Sequence, residues 1–389
     1  MKPFSLIIGC LLLLIGFRSA TSAQALSEPI ESLVTVQSRR EALSRLLIQR
    51  EQLESSADQP SLVRVSNQIV ELHLKLSELD SAFAVANESL KIARRFAGTE
   101  NANLLVDTLI VSGRTYIKRT DYVNAMRPLT EALQLSRDLK YSDGEAQSLR
   151  QIAEVQYELG EPSKAEEALN SGLKIWLEHP NKRGEAQTRN ILGELYIVTD
   201  RPENATAELK NAEALWRSLG DAAELGNNLM DQTFLAIRQG QWQTALTMLN
   251  EAQGLIVEKE AEPYLAGKVA MSLGDVHEAY GQLETSLAYF REALTIYRDF
   301  AHEKRAAIDA ANQVARLQAR LGDYEGAKKQ IEEALATSVE IGNTLNIGLS
   351  HETLGRIWLE AGSRESARAE SARRSLIESS TVRACPGVR

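Results

Sequence analysis

The stretch Asn190–Trp216 reads NILGELYIVTDRPENATAELKNAEALW, and its spacing predicts two helices joined by a turn. Leu192, Leu195 and Tyr196 recur at three- and four-residue intervals, as one apolar helix face requires. Gly193 stands among them, where a neighbouring helix can come close. Asp200 and Pro202 interrupt the pattern. Aspartate can cap the free N–H groups of a new helix, and proline in a first turn gives up a donor that would have had no partner. Ala205, Leu209, Ala212 and Leu215 then draw the apolar stripe of a second helix.

The same unit recurs on both sides. With Gly193 as anchor, the equivalent positions are Val70, Gly113, Ala153, Thr233, Gly274, Ala315 and Gly355, spaced 40 to 43 residues apart. Twelve residues after the anchors stand Ala82, Ala125, Ala165, Ala205, Ala245, Ser286, Ala327 and Ala367. Seven further on come Ser89, Ala132, Gly172, Ala212, Ala252, Ala293 and Ala334, and the column fails only at Arg374. Between the two columns lie larger residues in most units: Leu129, Leu169, Leu209, Leu249, Phe290 and Ile331. The turn is periodic too, with Gly160, Gly240, Gly281, Gly322 and Gly362 seven residues after their anchors and Asp200 in the same place. Glycine there can take the positive φ that ends a helix. One hairpin cannot cover its own apolar face, whereas stacked hairpins bury a continuous core, so the expectation is an all-α array of about eight hairpins.

These columns resemble the tetratricopeptide repeat: a small residue in the first helix, an aromatic such as Tyr116 or Tyr196 three residues on, then the alanines of the second helix. The resemblance covers residues 60–376 and implies a right-handed α-solenoid. The spacing of about 40 exceeds the 34 of the commonest form and is similar to the kinesin-light-chain type and to the arrays that precede CHAT peptidase domains. The closing proline is mostly missing, and Ala236 and Gln318 hold aromatic positions. Residues 26–59 read as a leading helix or worn half-repeat, and 377–389 as a tail. Glu370–Arg389 looks like the linker helix that joins such arrays to a CHAT domain. An alternative reading is therefore the sensor half of a truncated caspase-like peptidase.

The resemblance also implies where a partner binds. First-helix residues three before and one after each anchor face the concave side, which assigns Arg150, Glu154, Asn190, Glu194, Met230, Phe234, Met271, Asn312 and Arg316 to a peptide-binding groove. Amides can hold an extended peptide by its backbone, while Met and Phe give adaptable apolar pockets. The family's dicarboxylate clamp pairs a Lys with an Asn one turn later, and Arg150 followed by Glu154 does not satisfy it. The expected partner is a protein or extended peptide.

Catalytic chemistry finds little support. The five histidines His73, His179, His277, His302 and His351 share no helical turn and form no metal-ligand spacing, and no nucleophile elbow, P-loop or dinucleotide-binding glycine pattern occurs. The expectation is no enzyme, no metal and no cofactor. Trp176, Trp216, Trp242 and Trp358 at helical spacing read as packing rather than a ligand cage. Asn87 and Asn204 begin N-x-S/T triplets, acceptors only in a cell that glycosylates.

The first residues carry Lys2, an apolar run from Phe4 to Phe17 and small residues around Ala20–Ala25, the pattern of a Sec-type signal peptide over residues 1–23, cut after Ala23 or Ala25. The expected location is secreted or periplasmic, with no stable membrane span after cleavage. Ile8, Gly9 and Cys10 offer a lipoprotein box, but the apolar run continues past that cysteine. Removing Lys2 and Arg18 leaves 42 basic against 53 acidic residues, a net charge of −11, which disfavours nucleic acid and anionic membranes as partners. Cys385 then remains as a single thiol, free or bridging two chains, with no internal disulfide.

Overall fold

The computed structural model describes residues 36–256, 263–301, 303–342 and 344–384. The signal segment, Cys10, His302 and Cys385 lie outside them. The described chain is helical with no strand. A leading helix α1 (Val36–Glu54) is followed by α2 (Gln59–Lys75) and α3 (Leu79–Ala93), α4 (Ala102–Lys118) and α5 (Tyr122–Leu139), α6 (Ser142–Glu158) and α7 (Pro162–Glu178), and α8 (Lys182–Val198) and α9 (Pro202–Leu219). Then come α10 (Ala222–Arg238) and α11 (Trp242–Leu255), α12 (Pro263–Ala279) and α13 (Leu283–Ile296), α14 (Lys304–Arg320) and α15 (Tyr324–Glu340), and α16 (Thr344–Glu360) and α17 (Arg364–Ala384). From α2 onward each consecutive pair packs as a hairpin, and each hairpin packs on the next. The result is an all-α, right-handed solenoid of eight tetratricopeptide-like hairpins.

Every hairpin turn is made the same way. The residue seven after the anchor has a positive φ in all eight: Ser77, Thr120, Gly160, Asp200, Gly240, Gly281, Gly322 and Gly362. Five of these are glycine, the residue for which that region is free of strain. Asp200 therefore takes the left-handed turn position rather than capping α9, whose N-cap is Arg201 with no side-chain bond and whose first turn begins with Pro202. Side-chain caps form elsewhere: Asp121, Asn181, Asp221 and Asp323 each accept from a backbone N–H of the following first turn.

The anchor column explains the hairpin's tightness. A Cβ built on Gly193 would sit 2.6 Å from Leu209 Cδ2, and one on Gly274 2.5 Å from a ring carbon of Phe290. The large residue sixteen positions on fills the space that the glycine leaves. Hairpin one reverses the sizes, setting Val70 against Ala86, both fully buried. The sum of the two side chains is what the close-packed interior constrains.

At the N-terminal end of the described chain, Ala42, Leu43 and Leu46 of α1 join the core of Val65, Ile69, Val70 and Leu72 and cover the outer face of the first hairpin. Of the four tryptophans, Trp176 and Trp216 are fully buried, and Trp242 and Trp358 pack against core clusters. Within the array the first helix of one hairpin also packs on the first helix of the next, as α4 on α6 and α8 on α10. These helices form the inner, concave layer. No described helix is long and apolar enough to cross a membrane.

Candidate functional site

The inner layer carries two adjoining cavities. One of about 310 Å³ spans α4, α6, α8, α10 and α12 and is lined by Arg114, Lys118, Arg150 and Lys268 together with Glu154, Glu194, Glu224 and Asp231. Gln187, Asn190 and Asn227 supply amides to the same wall. The second, of about 330 Å³, is lined by Tyr157, Leu195, Val198 and Phe234, and it shares Ile191, Glu194, Asp231 and Lys268 with the first. The shared residues make the two a single groove, polar where Gln151, Gln187 and Asn227 line it and apolar toward the C-terminal ends of α6, α8 and α10, at Tyr157, Val198 and Phe234.

Helical periodicity decides which side chains line it. Glu154, Glu194 and Phe234, one residue after their anchors, face the groove. One turn back on that face are Gln151, Ile191 and Asp231, and two turns back are Gln187, Asn227 and Lys268. The sequence reading also chose the position four residues back, which lines the groove at Arg150 but turns into the core at Met230. Met230 is accordingly only 4% exposed, held in the core with Leu229, Leu249 and Leu273 instead of in the groove. Asn190 sits on the boundary at 8% exposed. Its Oδ1 accepts from Asn228 Nδ2 at 2.8 Å and Trp216 Nε1 at 3.4 Å, tying α8 to α9 and α10. That oxygen is engaged within the protein, so Asn227 supplies an amide to the groove wall that the reading missed. The signal for the missed set was present: stepping three and seven residues back from the exposed column traces one face of a helix.

The remaining sequence assignments, on α12 and α14, lie outside both cavities. Met271 is half-buried against Phe290 and Tyr297. Asn312 accepts from Ser350 Oγ at 3.3 Å. Arg316 is bound at both ends of its guanidinium by Glu278, with Nη1 to Oε1 at 2.6 Å and Nη2 to Oε2 at 2.5 Å. Its charge is matched within the protein.

The groove charges differ. Neighbouring arginines find carboxylates: Arg189 pairs with Glu185 and Glu208, Arg201 with Glu166, and Arg114 with Glu71. Arg150, Glu194, Asp231 and Lys268 share a cavity, yet none forms an ion pair or side-chain hydrogen bond with a described residue. Arg150 Nε is sealed from solvent and has no partner. Burial, with the like charge of Arg114 second, brings the Arg150 guanidinium down to about 10. Enclosure by the groove walls pushes the Glu194 carboxyl up, and the nearby Asp231 charge adds to it. The Asp231 carboxyl is raised by burial against the opposing pull of Lys268. In α12, Asp275 is pushed up to about 6 by burial and then by Glu278. Among the described residues no group of three His, Cys, Asp or Glu side chains is placed to hold a metal ion.

A raised carboxyl binds its proton more tightly in the folded than in the unfolded chain. The charged form therefore costs stability above the folded-state value, and the cost disappears as pH falls below the ordinary carboxylate range. Glu194→Gln is expected to unfold at higher urea than the native sequence at about pH 8 and to lose that advantage toward about pH 4. Paired urea titrations at the two pH values check it, and a gap that widened in acid would contradict the assignment.

No protein-family model and no curated protein sequence matches the chain. Solved structures do. A Signal Transduction ATPase with Numerous Domains protein with a tetratricopeptide repeat sensor from Pyrococcus horikoshii is similar with a TM-score of 0.65 at 14% identity; the match covers 92% of this chain and about half, 54%, of that one. The apo quorum sensor NprR from B. thuringiensis matches with a TM-score of 0.62 at 12% identity, over 88% of this chain and 97% of that one. A Rap protein complexed with Competence and Sporulation Factor matches with a TM-score of 0.56 at 12% identity, over 82% and 98% respectively. At these identities the likeness is one of fold, and that fold is the tetratricopeptide-like solenoid.

Proposed function

We propose that this chain is an interaction scaffold whose concave groove holds an extended segment of another protein. The observation that carries the reading is the set of opposite charges Arg150, Glu194, Asp231 and Lys268, none in an ion pair with a described residue, beside a Phe234 that is 51% exposed. These are groups a polar ligand would satisfy, with an aromatic side chain beside them for an apolar one. The solved complex of the similar Rap protein supports a bound factor for this architecture. The N-terminal leader pattern favours an extracytoplasmic partner.

The test is paired capture. Immobilised native protein and Phe234→Ala are exposed to the same extracytoplasmic extract, and captured proteins are quantified by mass spectrometry. Loss of an aromatic contact at the centre of an interface costs roughly 2 kcal/mol or more, some thirtyfold in affinity. One or more proteins retained by the native form are expected to fall sharply with the variant. Identical capture by both would overturn the groove as the binding surface.

A further inference from the structure

On the reading that the groove holds an extended segment, two columns of the repeat say how that segment lies. The position one residue after the anchor is charged in every hairpin except the fifth, which has Phe234. The position five residues after the anchor is charged in all but two hairpins, with Val198 in the fourth and Ala279 in the sixth. Both large apolar exceptions fall on one cavity, that of about 330 Å³, and both are exposed. Tyr157 joins them from α6, so three neighbouring inner helices each bring a large apolar side chain to one mouth. Exposed apolar groups scattered singly are ordinary, whereas groups gathered in this way mark a binding surface.

Below the mouth the cavity runs down to Ala153, Ala165 and Leu169, all fully buried. Such a floor suits a side chain and not a main chain, whose N–H and C=O groups would find no partner there. An apolar cavity of roughly 150 Å³ already holds a benzene, so this one admits an indole.

The polar and apolar cavities are displaced from each other along the helix axes. Val198 comes eleven residues after Gln187 on α8, and Phe234 seven after Asn227 on α10. At about 1.5 Å per residue the offset is roughly 10–17 Å, which an extended chain covers in about three to five residues. We infer that the groove takes a segment lying along the inner helices, which seats one large apolar side chain, leucine-sized or larger, among Tyr157, Val198 and Phe234 and lays the residues beside it over the amides of Gln187 and Asn227. Net charge does not select such a ligand, because the polar cavity holds both signs; the apolar residue does.

The probe is a ribosome-displayed library of random short peptides, selected on the immobilised full chain. Enriched peptides are expected to hold one position to Leu, Phe or Trp, and changing that residue to Ala is expected to weaken binding at least about tenfold in fluorescence anisotropy. Val198→Glu, which gives α8 the kind of charge its neighbours carry at this position, is expected to weaken it as much. Ala279→Glu, the same change in the same column but outside both cavities, is expected to leave binding unchanged. Both positions are exposed, and circular dichroism confirms that each variant retains its helices. With p-benzoylphenylalanine in place of Gln187, illumination is expected to crosslink a peptide residue about three to five positions from the apolar one. No enrichment, enriched peptides without a shared apolar position, binding indifferent to Val198→Glu, or a crosslink confined to the apolar residue would each overturn the inference. Capture from extract that falls with Phe234→Ala but not with Val198→Glu removes the apolar seat and leaves the groove; capture unchanged by both removes the groove as well.

Discussion

Replacing Trp216 by Ala is expected to lower the free energy of unfolding by about 3–5 kcal/mol. The indole is fully buried in the core that α9 shares with α10 and α12, beside Ala212, Leu225 and Leu229. Its removal leaves a cavity that the surrounding helices cannot fill without shifting. Its Nε1 also donates to Asn190 Oδ1, an oxygen that Asn228 shares, and Asn228 Oδ1 in turn accepts from Gln232. The substitution therefore loosens a polar network as well as an apolar contact. In a solenoid each hairpin touches only its neighbours, so the loss stays local. Urea titration measures the total, and hydrogen exchange is expected to place it in α8–α11, with α2–α5 retaining their protection. A loss below about 1 kcal/mol would mean that the ring contributes little to the core, against the burial seen here.

The second large effect is a substitution that adds atoms. Gly193→Val places methyl groups where the first added carbon already lies 2.6 Å from Leu209 Cδ2, and overpacking of this kind costs about 1–3 kcal/mol. The companion change Leu209→Ala is expected to recover most of that loss, although alone it is destabilising by about 2–5 kcal/mol. Hairpin one supplies the precedent within the same chain, since Val70 faces Ala86 there with both buried. Urea midpoints of the two single variants and the double variant close a mutant cycle. A favourable coupling beyond about 0.5 kcal/mol is the expected result, and additivity would show that the two positions do not share one packing volume.

The repeat was legible because its determinants are local and recur. Three columns of small residues and one of turn residues fix the hairpin, and the structure places helices where the anchors predicted them. The turn column was read as six members, because only glycine and Asp200 declare themselves; Ser77 and Thr120 complete it by adopting the same left-handed backbone without the residue type that advertises it. Asp200 was ambiguous in sequence, since one residue type serves both as a cap and as a left-handed turn residue.

The groove was legible only in part. Glu154, Glu194 and Phe234 share one helix face in the sequence, and the cavities lie on that face. Met230 was misplaced because a shift of one residue turns a helix by about 100° and carries a side chain from surface to core. Asp231 and Lys268 belong to α10 and α12 and meet Glu194 only through the curvature of the stack. That curvature is a sum over several hairpins, which no single repeat encodes. The absence of ion pairs around Arg150 was likewise invisible, because the carboxylates near it are plentiful in sequence and only their distances show them apart.

The uniform turn has a bearing on how such a molecule changes length. Since one left-handed residue closes every hairpin, the angle between paired helices is written inside each module and owes nothing to its place in the series. Duplicating or deleting an internal module would lengthen or shorten the channel while leaving its bore unchanged. The span of ligand it accommodates is then set by module number, and the chemistry it reads by a few inward-facing positions that vary freely without disturbing the frame.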